Sequence, residues 1–436
     1  MRYILLILSL AIWLAIGRFG LGFDSVIDLI HFASVPLLAS YLVIFRPANI
    51  IKNISPYCTF FVFITLLVTA YLIAFSRTIS YVRVNWFELP VAVYFLLSTY
   101  IILFLLDKFI DSALSSMLRI NTKKTIIKSS IKTLLRISIL FFAVIPYLVA
   151  VFTTHWIKFE DGASPKQLLD LNYRQVSFNA KDGAKLEGWF IPSTTRLSDS
   201  SVIIVPGRNL SKNLFLPYAK VLSSSGYNVF LIDLRGNGGS SGHKYSFGIE
   251  EANDVIGAVD YLTNYCSESS KYVFGFGISE GASALVAAAS RDDRFTGIVI
   301  DSTCGYEFSY PVWLSDFLPG WMEKALLKVT KSVFLADIGQ PMWNTKDFYE
   351  KISQISPCPV LVTNSLRNGK ADRAQTVELY TQAKDPKMLW LNPPDKNGEI
   401  NIGNEGDYFK NILDLFDLGR TKQQTDRWRT IPKNPT

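Results

Sequence analysis

Gly275-Phe-Gly-Ile-Ser279-Glu-Gly-Ala282 lies between a short apolar run, Tyr272-Val-Phe, and a helix-favouring run, Ala282-Ser-Ala-Leu-Val-Ala-Ala-Ala289. Gly-x-Ser-x-Gly in that setting folds as a tight turn from strand to helix. The glycines let the two backbones approach, and the serine side chain is thrust out above the end of the strand. A serine hydroxyl is a weak nucleophile until a neighbouring base takes its proton. The chain holds three histidines, His31, His155 and His243, and none of them follows Ser279.

Outward from this turn, strand and helix patterns alternate. Val176-Ser-Phe and residues 185–191 read as strands joined at the turn Asp182-Gly183. A strand over 202–205, a helix over 213–224, a strand over 229–232 and a helix over 249–264 lead up to the serine. Beyond it come strands at 297–301, 360–363 and 388–391, with helices near 373–383 and 406–418. Such alternation predicts an α/β domain: a mostly parallel, eight-stranded sheet with helices on both faces. An aromatic-rich insertion at 305–346 interrupts the rhythm and reads as a lid, and the polar, basic tail at 420–436 is expected to fray.

The N-terminal third has a different character. Of 436 residues 49% are hydrophobic, and the excess collects in apolar stretches at 3–22, 26–45, 57–75, 89–106 and 134–154. Each has about the length that crosses a hydrocarbon core of ~30 Å. Residues 1–155 are therefore expected to be a polytopic membrane region of about five transmembrane helices. That region includes a basic amphipathic loop at 109–133, and a linker follows it at 156–172. Residues 1–155 carry 13 Lys/Arg against 5 Asp/Glu, while the remainder carries 31 against 32. The basic balance thus belongs to the membrane region, and no basic, aromatic-studded patch points to nucleic acid. Arg46, Lys52 and the seven basic residues between Lys108 and Arg136 mark their loops as cytoplasmic. Five spans then leave the C-terminal domain on the extracytoplasmic side. The four cysteines form no CxxC and no metal-ligand spacing, so neither a metal nor a cofactor is expected.

Several motifs occur in the order seen in one family. They are Val176-Ser-Phe-x3-Asp182-Gly-x2-Leu186-x-Gly188-Trp, Asp233-Leu-Arg-Gly-Asn-Gly-Gly-Ser-Ser-Gly242, Asp254, the serine turn and Pro357-Cys-Pro-Val-Leu-Val. Residues 173–419 resemble an α/β-hydrolase of the serine aminopeptidase-like, dienelactone hydrolase-like and BEM46-like group. The resemblance implies Ser279 as nucleophile and Asp372, in Asn368-Gly-Lys-Ala-Asp372, as the triad acid. Asp372 read alone would also suit the cap of the following helix. The resemblance also implies an oxyanion hole formed by the backbone amides of Glu280 and Arg208. Asp301 takes the place of a structural carboxylate.

The triad histidine has no counterpart. Its loop here is Asn392-Pro-Pro-Asp-Lys-Asn397, with Asn397 near the family position. Loss of the base from a triad lowers kcat by about 10⁶. Two residues offer a substitute: His243, beyond the Asp-x-Arg-Gly loop, and Lys396, whose ammonium would need burial to act as a base. The leading expectation is accordingly a membrane-embedded pseudohydrolase that binds a lipid-like ligand, such as an apolar acyl group, or a membrane protein partner. The alternative is an active esterase, thioesterase or peptidase-like hydrolase that uses Ser279 with an unorthodox base.

Overall fold

The computed structural model describes residues 2–16, 145–154, 159–161, 163–195, 197–208, 210, 212–242, 244–301, 318–342, 344–364, 370–391, 405–430, and scattered residues between 33 and 143. The chain divides into two compact units. One comprises Met1–Ile79, Asn85–Ile157 and Ser309–Pro341, and the other Ser80–Val84, Lys158–Phe308 and Met342–Thr436.

In the first unit, helix α1 spans Arg2–Ala15 and α2 spans Ile145–Thr154. Part of the aromatic-rich insertion groups with this unit, including the helix Gly320–Ile338, which packs on α2. Phe142 stacks on Trp321 with ring centres 6.4 Å apart, and Tyr41 meets Phe104 edge-on. Among the described residues no helix is long and apolar enough to cross a membrane. The expected span at 57–75 lies outside the described residues, and the other four lie partly outside them.

The second unit opens where the sequence suggests only a linker. Strand β1 (Val82–Val84) pairs antiparallel with β2 (Phe159–Asp161). Helix α3 (Pro165–Leu169) follows, closed by a capping box in which Ser164 and Gln167 satisfy each other's backbone N–H. Then come β3 (Arg174–Asn179), β4 (Lys185–Ile191), β5 (Ser200–Val205), α4 (Leu216–Ser224), β6 (Asn228–Ile232), α5 (Glu251–Tyr265), β7 (Tyr272–Ile278) and α6 (Glu280–Ala289). The chain continues with β8 (Phe295–Asp301), the first unit's helix α7 (Gly320–Ile338), α8 (Thr345–Gln354), β9 (Val360–Asn364), α9 (Lys370–Gln382), β10 (Lys387–Leu391) and α10 (Glu405–Thr430).

Eight of these strands form one sheet in the order β10-β9-β8-β7-β5-β6-β4-β3. The hairpin β3–β4 is antiparallel and joins β6 antiparallel, and every other pairing is parallel. The central strands β5, β6, β7 and β8 are buried along their whole length, as strands covered on both faces must be. The strand period of two divides their side chains between two cores. Ile203, Val205, Ile298 and Ile300 pack under α5 and α6. Val202, Ile204, Phe274, Phe276 and Val299 pack under α4 and α10.

The last helix does not stop near Arg420 but runs to Thr430. Tertiary contacts hold this polar stretch. Thr296 Oγ1 donates to Gln423 Oε1 at 3.1 Å, and Lys422 Nζ donates to the Pro357 carbonyl at 2.7 Å. Gly419 lets the helix touch β8, since a Cβ there would sit 2.3 Å from the Thr296 carbonyl oxygen.

Candidate active site

The turn from β7 to α6 places Ser279 at φ 55° and ψ −127°, a conformation that costs a non-glycine residue about 1–3 kcal/mol. Packing around the turn enforces it. A Cβ on Gly277 would lie 2.6 Å from Ala282 Cα, and one on Gly281 would lie 2.2 Å from the Val205 carbonyl oxygen. Only glycine lets β7, α6 and the end of β5 come this close. The Ser279 N–H donates to the Asp301 carbonyl at 2.9 Å, which ties the turn to the neighbouring strand. The Asp301 carboxylate is buried and accepts the Tyr408 hydroxyl at 2.5 Å, anchoring β8 to α10.

The Ser279 hydroxyl donates to Glu280 Oε2 at 2.6 Å. Glu280 is the first residue of α6, so its backbone N–H belongs to the free end of a helix, the kind of donor an oxyanion hole uses. The loop after β5 stands directly against the pair. A Cβ on Gly207 would be 3.1 Å from both Ser279 Cβ and Glu280 Oε2. Arg208, the expected second oxyanion residue, follows Gly207 in that loop. Its guanidinium lies over the rings of Tyr245 and Phe247, at 5.3 and 5.7 Å from their centres. Phe247 takes φ 57°, unusual for an aromatic residue, in a loop fastened beneath by Glu251. That buried carboxylate accepts from Ser246 N, Ser246 Oγ and Gly248 N at 2.8, 2.6 and 2.7 Å. Burial raises its pKa, and the bonds from Ser246 oppose the rise.

The Asp-x-Arg-Gly loop follows β6 at the same end of the sheet. Arg235 donates to Asp254 from Nε at 2.9 Å and from Nη2 at 2.7 Å, and to both oxygens of Asp182. Its backbone N–H adds a bond to Asp254 Oδ2 at 2.7 Å. Burial pushes Asp254 up to about 7 against the pull of Arg235. Within the same loop, Asp233 pairs with Lys212 at 2.5 Å, both side chains being buried, and Lys212 lies over the Trp189 ring. These ties make the loop a structural clamp.

Of the residues anticipated from sequence, Ser279, Glu280 and the Gly207-Arg208 loop come together. Asp372 falls in the first turn of α9, and its side chain is outside the described residues. His243, Lys396 and Asn397 are likewise outside the described residues. Among the described residues no cluster of His, Cys, Asp and Glu is placed to hold a metal ion. Sequence reasoning took Glu280 for its backbone amide and missed its carboxylate. The available signal was an acidic side chain directly after the serine, at the first position of the following helix.

A family model described as "Serine aminopeptidase, S33" matches residues 198–343, from the start of β5 through the elbow and β8. The uncharacterised protein YfhR of Escherichia coli O157:H7 is 28% identical over 258 residues, covering 57% of this chain and 82% of that protein. Protein bem46 of Schizosaccharomyces pombe is 26% identical over 261 residues, covering 59% of this chain and 80% of its own. An esterase structure from Pyrococcus furiosus aligns with TM-score 0.47 and 22% identity over 61% of this chain and 97% of the esterase. The family model runs through the strands that carry Ser279 and the loop after β5, and the second unit has the eight-stranded, mostly parallel sheet of an α/β-hydrolase fold.

Proposed function

We propose that the second unit is an acyl hydrolase in which Ser279 is the nucleophile and the amides of Glu280 and Arg208 receive the oxyanion. The observation that carries this reading is the backbone of Ser279 at φ 55°, ψ −127°. Strain of that kind persists only where the surroundings over-determine it, and it gathers at sites that use it. A protein that kept the fold alone could relax the turn with glycine. Asp372 is the acid position of this reading, and His243 and Lys396 are the bases that the sequence offers for it.

The competing reading is a pseudohydrolase that binds a lipid-like ligand or a membrane partner. It draws on the sequence, which has no histidine after Ser279 and an asparagine at position 397. A fluorophosphonate probe separates the two in native membranes. Acyl hydrolysis predicts labelling that disappears in Ser279→Ala. Folded wild-type protein that takes up no probe would favour the pseudohydrolase. The apolar stretches of residues 1–155 support a multi-pass membrane location, with the hydrolase unit extracytoplasmic by the Lys/Arg distribution. Protease treatment of sealed vesicles of known orientation tests it, and digestion of that unit from the cytoplasmic face would contradict it.

A further inference from the structure

We infer that Glu280 is the base that activates Ser279, and that the site takes acyl groups with good leaving groups: thioesters, aryl esters or enol esters. The inference rests on the acyl-hydrolysis reading above. A general base must first lie within hydrogen-bond reach of the proton it removes. Glu280 Oε2 accepts that proton's hydrogen bond at 2.6 Å. Its position is half-buried. The helix start fixes its main chain, Ser279 precedes it, and Gly207 nearby has no Cβ, where one would stand 3.1 Å from Oε2. The carboxylate thus touches the serine hydroxyl and stands close to the loop after β5.

As the Oγ–C bond forms, the Oγ proton moves to Oε2 and the carbonyl π pair becomes an oxyanion. Negative charge leaves the carboxylate as it arrives on the substrate, so a neutral carboxyl faces the oxyanion. In this scheme Glu280 is the one acid–base group, and the proton it takes from Oγ is not relayed to the leaving atom. Collapse therefore breaks the acyl–leaving group bond with departure of a thiolate, phenolate or enolate. Glu280 gives its proton to solvent, then takes one from the water that attacks the acyl-serine. The second collapse releases the carboxylic acid, and Ser279 regains its proton from Glu280. Amides and alkyl esters, whose leaving groups need protonation, are excluded.

The test measures hydrolysis of p-nitrophenyl, phenyl and ethyl acetate by the full chain, as wild type, Ser279→Ala and Glu280→Gln. Wild type should cleave the p-nitrophenyl ester fastest and the ethyl ester no faster than Ser279→Ala does. Its rate should stay flat from about pH 6 to 8, where an imidazole base would bend the profile. Glu280→Gln keeps the amide and the side-chain size, and should lose about 10²- to 10⁴-fold with an unchanged melting temperature. Glu280→Asp keeps the charge and should recover part of the rate with the same flat profile. Ser279-dependent turnover that survives or rises in Glu280→Gln would overturn the inference, making the carboxylate a plug in the oxyanion hole. A profile that bends near pH 6–7 would overturn it in favour of a histidine. Absence of any Ser279-dependent turnover would instead remove the acyl-hydrolysis reading itself.

Discussion

The elbow at Ser279 and the clamp at Arg235 follow parallel strands of one sheet at the same end, and they are built on opposite terms. At the clamp the charges meet opposite charges: Arg235 with Asp182 and Asp254, Lys212 with Asp233. At the elbow the backbone is strained and a hydroxyl faces a carboxylate in place of a neutral base. The difference separates a motif that serves the fold from one that, on the proposed reading, serves chemistry. A satisfied network needs no substrate to complete it. On the acyl-hydrolase reading, a strained serine at the start of a helix is arranged for a group that arrives later.

The largest effect is expected at the clamp. Arg235→Ala strands the fully buried Asp254 carboxylate, and loss of one partner from such a pair costs about 3–5 kcal/mol. Chemical denaturation should show that loss, and an unchanged midpoint would mean the clamp is dispensable. At the elbow, Gly281→Ala drives a methyl onto the Val205 and Pro206 carbonyl oxygens and should cost about 3 kcal/mol or more. Here stability and probe labelling should fall together. Labelling lost in a protein of wild-type stability would show that the close approach serves the nucleophile alone.

The clamp also carries a pH signature. Asp254 holds its proton more tightly in the folded state, at about 7, than in the unfolded chain, because of burial. Such a group contributes stability below its unfolded pKa and loses it as pH rises through the folded value. The margin by which wild type out-melts Asp254→Asn should therefore shrink between about pH 4 and pH 8. A margin that widens would show that Arg235 keeps the carboxylate ionised. The smallest effect belongs to Gly183, at φ 91° with open space around it. Gly183→Ala should cost about 1 kcal/mol through backbone conformation alone, well below Gly281→Ala in the same denaturation assay.

Much of this was legible in the sequence because it is local. The eight strands follow from apolar runs of strand length between turn residues, and the serine turn from its three-glycine signature. What escaped depends on partners far along the chain. Residues 405–430 form one helix because Thr296 and Pro357 meet its polar end, and no local pattern announces that. The segment Ser309–Pro341 groups with the N-terminal unit, through contacts that sequence spacing does not encode. The Phe159–Asp161 strand needed its distant partner Val82–Val84. Glu280 was legible as a residue but not as a contact, since only the backbone of the turn directs its carboxylate back over Ser279.

The central claim is that Ser279 is loaded for acyl transfer. Its most direct test is acid quenching of the full-length protein with p-nitrophenyl acetate, followed by mass spectrometry of the peptide containing Ser279. The account predicts one acetyl group on that peptide in wild type and none in Ser279→Ala. A folded wild-type protein whose Ser279 peptide stays unmodified at every quench time would contradict it.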